Sequence, residues 1–221
     1  YYRGILQCDG YSAYETLARK VPGIQLAGCM AHVRRKFKDA LQHAPTQALW
    51  IIVQIKHLYR IERKLSNQNA GPRYRNHLRQ VESRPILARI KKALLKFKAN
   101  ASILPQSTLG RAVDYALGQW EGLEVYLTEG RVEIDNNHAE NSVRPTAVGK
   151  KNWLFIGRGD TGDRSAIIYS IVESCRRRGI DPHAYLTDIL ERLPNATNKE
   201  VSELTPATWA AEKQGQHQAT A

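Results

Sequence analysis

Acidic, amide and basic residues recur at helical spacing between residues 130 and 145. Asp135 is a suitable N-cap for a helix, and Pro145 disfavours helical geometry at the residue before it, so the pattern predicts a short helix ending near Arg144. The polar face of this helix consists of Asn136, Asn137, Glu140 and Arg144, and the inward face of Ala139 and Val143. A hard divalent cation binds such a carboxylate, and the cationic side chains that flank it, Arg144, Lys150 and Lys151, suit a phosphodiester. An ordinary capped surface helix has the same pattern.

A second carboxylate follows an apolar run near the start of the chain. Residues 4–8 predict a buried strand, and Asp9 comes directly after it. Open α/β sheets place functional groups at the carboxyl ends of their strands. Asp9 also suits a simpler role as the cap of the next helix, predicted from Tyr11 to about Arg19. An acid after a strand and an acid on a helix, here Asp9 and Glu140, can together hold two Mg²⁺ ions for phosphodiester chemistry.

A Cys-x-x-His pair follows the second predicted strand, which covers residues 24–28. Cys29 and His32 have the spacing of zinc ligands, but a zinc site needs about four ligands and no second pair is placed to complete it. The alternative is that Cys29 packs in the core while His32 opens a helix near the active face. That helix, predicted over residues 33–38, carries cations that contact either phosphates or water.

The net charge of the chain indicates which kinds of molecule it could bind. The 221 residues include 33 basic and 21 acidic side chains, giving a net charge of +12 and a pI of about 9.8. Such an excess is typical of proteins that bind polyanions, nucleic acid above all, although a basic solvated surface has the same composition. Further cations follow Glu140 at Lys150, Lys151 and Arg158. The sequence has no Walker loop, no Gly-x-Ser-x-Gly elbow and no apolar run of membrane-spanning length.

The middle of the chain, from about residue 46 to residue 127, has helical periodicity. Three apolar stripes predict three helices: Ala48, Ile52, Ile55 and Tyr59; Ile86, Ile90, Leu94 and Phe97; and Leu109, Val113, Leu117 and Trp120. These helices form a bundle inserted between the Asp9 and Glu140 regions. Trp50 and Trp120 can stack on an unpaired base, but core packing is the commoner fate of a helical tryptophan.

Several of these motifs together resemble the insertion-sequence-66 family of bacterial DDE transposases. The most specific block is Ile-Asp-Asn-Asn-His-Ala-Glu-Asn-Ser-Val-Arg-Pro at residues 134–145, continued by Gly-Lys-Lys-Asn-Trp-Leu-Phe from residue 149. Leu-Gln-Cys-Asp-Gly-Tyr at residues 6–11 is similar to the strand of the second catalytic aspartate. The Cys29–Phe37 segment and residues 181–209 are also similar to family segments. The likeness covers nearly the whole chain.

This resemblance implies an α/β fold: a partial RNase H-like catalytic core interrupted by an all-helical insertion and followed by a helical C-terminal segment. The implied segments are residues 1–45, the first part of the core; 46–128, the insertion; 129–180, the last part of the core; 181–209, the C-terminal helical segment; and 210–221, a disordered tail. The family's second aspartate corresponds to Asp9 and its glutamate to Glu140, both binding Mg²⁺ or Mn²⁺. Asn141 replaces the arginine usual after that glutamate.

The implied function is cutting and joining of transposon DNA ends by metal-dependent transesterification. Asn137, Arg144, Lys150, Lys151 and Arg158 are the predicted DNA contacts. Expected partners are transposon ends and target DNA, further copies of the protein in the DNA complex, and accessory proteins of the same element, in the bacterial cytoplasm. The first aspartate of the triad is expected upstream of Tyr1, so the chain alone is predicted to be inactive. The alternative is a non-catalytic, DNA-binding remnant of a truncated transposase.

Overall fold

The computed structural model describes residues 2–153 and 159–219, except for the side chains of residues 150–153, 159–161 and 214–219. The chain forms two compact units, Tyr1–Glu140 and Asn141–Ala221. The first unit contains β1 (Gly4–Gln7), α1 (Ser12–Lys20), β2 (Ile24–Ala27), α2 (Met30–Asp39), α3 (Pro45–Asn67), α4 (Pro72–Leu78), α5 (Arg84–Ala99), α6 (Thr108–Gly118) and α7 (Trp120–Glu124). The later elements are α8 (Asn137–Trp153), α9 (Gly159–Arg177), α10 (Pro182–Arg192) and α11 (Pro206–Ala219). Within these ranges no helix is both long enough and apolar enough to span a membrane.

The two strands form a parallel pair linked by α1. Gly4 is paired with Ile24 and Gln7 with Ala27, and the backbone N–H of Cys8 continues the pairing to the carbonyl of Ala27 at 2.9 Å. Both predicted strands and the helix between them are therefore confirmed. Because the strands are parallel, the residues that follow them emerge at the same edge of the pair.

Helices pack beside this pair and supply most of the hydrophobic core. The core takes residues from α2, α3, α5, α6 and α7 and also includes Ile134, just before the predicted catalytic helix. The predicted apolar stripes of α5 and α6 are confirmed, whereas α3 buries Ile51 and Leu58 more completely than Ile52 and Tyr59. The helical insertion thus shares one core with the segment that carries the strands.

The two tryptophans of the insertion differ in environment. Trp120 is 4% exposed, as core packing predicts, but Trp50 is 39% exposed. The prediction of core packing is therefore wrong for Trp50. Helical spacing identified the buried side of α3 in outline, but it did not establish which flanking residue a neighbouring helix covers.

A π-helical turn at Arg79–Ser83 joins α4 to α5. The N–H of Arg84 donates to the carbonyl of Arg79, five residues back, and Pro85 has no N–H to give to the carbonyl four residues before it. This turn directs Arg79 into the core, where its side chain is fully buried. A buried guanidinium requires partners, and the partner carboxylate of Glu62 lies on α3 at 2.7–2.9 Å.

Helix α8 is longer than its sequence predicts. It begins at Asn137, close to the expected start, but continues through Pro145 to Trp153. Pro145 cannot donate to the carbonyl of Asn141, an exposed residue whose carbonyl water can satisfy, so the local penalty does not end the helix. Residues 149–153 are helical where a strand was predicted, and residues 154–158 lie outside the described part. The predicted inward face is also wrong, since Ala139 is exposed and Val143 is 62% exposed.

The second unit has its own small core around Cys175, Tyr185 and Leu204. Asp181 caps α10 by accepting N–H groups of the first turn at 3.1 and 3.3 Å, as the Asp-Pro pair predicts. Helix α11 extends to Ala219, so residues 210–219 are helical where the sequence predicts a disordered tail.

Candidate functional site

Asp9 is half-buried just beyond the end of β1. One carboxylate oxygen accepts the backbone N–H of Tyr11 at 3.1 Å, and the backbone carbonyl of Asp9 accepts the hydroxyl of Tyr115 at 2.6 Å. The next residue, Gly10, has φ +84°, and a Cβ there would lie 2.8 Å from the side chain of Gln119. Helix α6 and its end therefore fix the backbone around Asp9, while the second carboxylate oxygen forms no hydrogen bond to the described protein.

Burial raises the pKa of the Tyr115 hydroxyl to about 12, with smaller contributions from nearby acidic groups that include Asp9. This tyrosine therefore remains a hydrogen-bond donor throughout the neutral pH range. Since Tyr115 belongs to α6, a helix of the insertion holds the aspartate loop by a contact 106 residues away in sequence.

Glu140 lies in the first turn of α8, and its carboxylate is 40% exposed. One carboxylate oxygen is 3.6 Å from Nε2 of His32, whose side chain is 16% exposed on the first turn of α2. The Nδ1 atom of His32 is buried and has no hydrogen-bond partner among the described residues. The structure thus confirms that His32 opens a helix, and it places this imidazole beside the predicted catalytic glutamate.

Asp135 is bound from two directions just before α8. One of its oxygens accepts the hydroxyl of Tyr59 at 2.6 Å and the side-chain amide of Asn137 at 3.0 Å, and the other accepts the backbone N–H of Asn137 at 3.1 Å. Burial and then the neighbouring Asp135 carboxylate raise the pKa of Tyr59, which keeps its proton. The side-chain amide of Asn137 therefore donates to Asp135 within the turn, whereas the sequence predicted that Asn137 contacts DNA.

Sequence reasoning placed Tyr59 on an apolar stripe and missed this contact. The available signal was the hydroxyl itself, because a buried tyrosine usually finds a polar partner. Arg34 lies over the Tyr59 ring, 5.8 Å from its centroid, so a cation of α2 shields the same turn.

The segment before α8 is tied to the ends of both strands. The side-chain amide of Gln7 donates to the carbonyl of Glu133 at 2.7 Å, and the N–H of Met30 donates to the carbonyl of Ile134 at 3.1 Å. Gln7 ends β1, and Met30 lies shortly after β2. The segment that precedes α8 and the Asp9 loop consequently lie at the same edge of the strand pair.

The predicted zinc ligand Cys29 is 2% exposed and packs at the start of α2. Burial raises the pKa of its thiol, and nearby backbone N–H groups only partly oppose this. Among the described residues, no group of three or more His, Cys, Asp or Glu side chains is arranged to hold a metal ion. Zinc binding by Cys29 and His32 remains a prediction from spacing alone.

All three cysteines should react slowly with thiol reagents in the folded protein. Cys8, Cys29 and Cys175 are buried, and burial is the largest cause of the raised pKa of each thiol, so the reactive thiolate is scarce at pH 8. Titration with a chromogenic disulfide should detect three thiols in guanidinium and at least tenfold slower reaction without denaturant. A thiol that reacts as fast as free cysteine in the folded chain would contradict this packing.

The predicted DNA contacts are only partly described. Arg144 is exposed one turn after Glu140 on α8, so its guanidinium is open to a phosphate. The side chains of Lys150 and Lys151, and the whole of Arg158, lie outside the described residues. Arg144 is thus the one cation of the predicted set that the structure places.

Carboxylates such as Asp9 and Glu140 are suitable ligands for a hard cation, but two of them are too few to complete its coordination. Asp9 has an oxygen without a protein donor, and Glu140 is exposed, so both can offer anionic oxygen to Mg²⁺ or Mn²⁺. Magnesium commonly keeps several waters and takes one or two carboxylates together with phosphate oxygens of the substrate. These two residues can hold such an ion only if water and phosphate complete its coordination. One acid thus follows β1 of the strand pair and another lies on α8, which is the arrangement that the sequence motifs predicted.

Two protein-family profiles match this chain. The profile described as "Transposase IS66 family" matches residues 1–164, and the profile "IS66 C-terminal element" matches residues 170–207. The chain therefore belongs to the IS66 family of transposases, as the sequence motifs indicated. No solved structure matches the chain significantly.

Relatives of the chain occur in Sinorhizobium fredii (strain NBRC 101917 / NGR234). Uncharacterized protein y4jD is 37% identical over 223 residues, which cover 97% of this chain and 43% of that protein. Uncharacterized protein y4hP is 34% identical over 224 residues, covering 94% of this chain and 40% of that protein. The chain spans about two fifths of the length of these curated relatives.

Proposed function

We propose that this chain supplies two carboxylates, Asp9 and Glu140, to the active site of a transposase that cuts and joins DNA ends. One observation carries the proposal: Asp9 follows β1, and the segment leading to Glu140 is bonded to residues at the carboxyl ends of both strands. The strand pair, α1 and the following helices would be part of an RNase H-like core. Family membership supports this assignment.

In this proposal Asp9 and Glu140 hold Mg²⁺ or Mn²⁺, which would activate the attacking oxygen and stabilise the leaving oxygen. His32 orients the Glu140 carboxylate from 3.6 Å away. Tyr59 and Asn137 fix Asp135, so the first turn of α8 has a defined start. Tyr115 holds the Asp9 loop through its backbone carbonyl. The chain's own residues thus hold both carboxylates in place and keep their outer oxygens accessible.

DNA is the proposed substrate and partner. Arg144, Lys150, Lys151 and Arg158 would bind phosphates of the DNA backbone. Arginine forms two parallel hydrogen bonds to a phosphate, which fixes the direction of the backbone as well as its distance. Self-association in the DNA complex and accessory proteins of the same element complete the proposed set of partners.

The reading frame around this chain gives a first test of the proposal. We expect the codons upstream of Tyr1 to encode further strands and an aspartate, and we expect the isolated 221 residues neither to nick nor to join transposon ends in Mg²⁺ or Mn²⁺. The complete product should do both. Cleavage by the isolated chain that is lost in Glu140→Gln would overturn the requirement for a further aspartate.

DNA binding alone is the second candidate function, favoured by the net charge of +12. We expect the isolated chain to bind duplex DNA with little sequence preference and a strong salt dependence. If six phosphates are neutralised, affinity should fall by about 10³ between 50 and 200 mM salt. Fluorescence anisotropy at a series of salt concentrations measures this slope, and Arg144→Gln should reduce it by about one. Salt-independent binding would rule out phosphate contacts as its basis.

A further inference from the structure

An open groove runs along the helical insertion, between α3 on one side and the π-helical turn with the start of α5 on the other. Its volume is about 690 Å³. Helix α3 contributes Trp50, His57 and Arg60, and the opposite side contributes Val81 and Arg89. This groove lies on different elements from Asp9 and Glu140. Nothing in the proposed catalytic role uses it.

Two cations line the groove, one from each helix: Arg60 of α3 and Arg89 of α5. Both are exposed, and within the described part of the chain neither forms an ion pair. Exposed cations also lie on the same two helices outside the lining, at Lys56, Arg63, Lys92 and Lys96. Unpaired cations on both sides of the groove attract a polyanion to it.

The acid in the groove does not offset this charge. Glu82 lines the groove, but its carboxylate lies 3.4 Å from the ammonium of Lys64 and is neutralised by that lysine. The lining therefore keeps the charge of Arg60 and Arg89, while His57 adds a polar ring that gains charge only when protonated. A negatively charged occupant is favoured over a neutral or basic one.

Trp50 gives the groove an aromatic surface. Its indole is 39% exposed, and the neighbouring Val53 and Val81 are 38% and 59% exposed. An exposed indole beside cations is the combination that binds unpaired nucleotides, because every base has a flat face that can stack while its phosphate meets a cation. From Trp50 to Arg60, α3 rises about 15 Å, which is enough for roughly four nucleotides.

We infer that this groove binds unpaired DNA, with Trp50 stacking on a base and the cations of α3 and α5 contacting the phosphates. Paired bases do not expose their faces, so duplex DNA would use only the cations. The inference rests on the proposed function, since it takes DNA as the partner of the chain. It adds a second DNA site whose ligand is a single strand, such as one exposed when transposon ends are opened.

Fluorescence anisotropy measures binding of the chain to a ten-nucleotide oligothymidylate and to a blunt duplex of equal length. Trp50→Leu should weaken single-strand binding about tenfold and leave duplex binding within twofold. The double variant Arg60→Gln/Arg89→Gln should lower the single-strand salt slope by about 1.4. Arg111→Gln, which removes an exposed cation of α6 outside the groove, is the control and should leave this slope unchanged, whereas each groove arginine alone should lower it by about 0.7. Circular dichroism melting verifies that each variant is folded.

Three outcomes overturn the inference. If Trp50→Leu and the double variant bind the oligothymidylate as well as the unchanged chain does, while duplex binding persists, the groove is not a DNA site and the proposed function stands. If neither DNA binds at 50 mM salt, the second candidate function, DNA binding by the isolated chain, fails along with the inference. If polyglutamate of equal charge competes as well as oligothymidylate and Trp50→Leu has no effect, the groove is a general polyanion surface.

Discussion

Replacing Arg79 with methionine should destabilise the first unit by about 3–5 kcal/mol, because the change leaves the buried carboxylate of Glu62 without its partner. Arg79 is fully buried, and its guanidinium donates to both oxygens of Glu62 at 2.7 and 2.9 Å. The same side chain donates to the backbone carbonyls of Tyr126, Glu129 and Val132 at 2.8, 3.2 and 2.9 Å. Methionine fills a similar volume but donates to none of these groups.

Two further variants separate the ion pair from the carbonyl contacts. The double variant Glu62→Leu/Arg79→Met removes the stranded charge, so it should recover part of the loss but not the share due to the three carbonyls. Lys98→Met breaks the exposed pair with Asp114 and should cost less than about 1 kcal/mol. Urea unfolding followed by circular dichroism measures all three. A loss below 1 kcal/mol in Arg79→Met would mean that this network is not a structural anchor.

This network also connects α3 and the π-helical turn to the segment that leads to α8. The three carbonyls belong to the stretch of chain that leads directly to Ile134 and Asp135, and Ile134 is itself in the core. A partly loosened Arg79 variant should therefore affect Glu140 before the whole unit unfolds. Hydrogen exchange of the amides at residues 126–135 should accelerate first, ahead of those in α3 and α5.

The second large effect follows from the proposed function and is expected in a full-length IS66-family protein that contains this chain. Glu140→Gln should lower the rate of DNA cleavage by about 10²–10³-fold, since a neutral amide forfeits several kcal/mol of charge stabilisation through the metal. Asp9→Asn should act similarly. Binding of transposon ends should stay within a fewfold of the original, because the removed charge is negative and does not hold phosphates. Single-turnover cleavage and anisotropy measure the two quantities separately.

His32→Gln supplies a graded comparison for these variants. Its ring contacts the Glu140 carboxylate from one side only, so its loss should slow cleavage less than the loss of the carboxylate itself. If His32→Gln abolished cleavage while Glu140→Gln left it intact, the assignment of the catalytic residue would be wrong.

Local signals in the sequence predicted much of the fold. The apolar run before Asp9-Gly10 forms β1, and the run after Pro22-Gly23 forms β2. Asp181-Pro182 begins α10, as predicted. These features depend on turn and capping residues a few positions away, which the sequence displays directly. The same local reasoning fails at Pro145, which lies inside α8 although a proline there costs about 3 kcal/mol.

The contacts that shape the site were harder to predict because they are long-range. Tyr59 and Asp135 are 76 residues apart, and Tyr115 reaches the Asp9 carbonyl across 106 residues. Periodicity shows that a residue lies at the border of a helix's buried side, but it does not show which polar group of another element the residue contacts. Nothing in the sequence indicated that Arg79, one of many basic residues, is buried; it lies at the start of the π-helical turn and is paired with Glu62, 17 residues away. The family motifs predicted Asp9 and Glu140 as site residues, whereas the contacts that hold them were visible only in the structure.

Metal ligation by Asp9 and Glu140 is the central claim, and a change of metal preference tests it most directly. The complete transposase carrying Glu140→Cys, and separately Asp9→Cys, would be assayed for cleavage of transposon ends in Mg²⁺ and in Mn²⁺. A thiolate binds the softer Mn²⁺ better than Mg²⁺, so the account predicts that each variant is inactive in Mg²⁺ and recovers cleavage in Mn²⁺, whereas Glu140→Ala recovers in neither. Equal cleavage by the cysteine variants in both metals would contradict the claim that these side chains hold the ion.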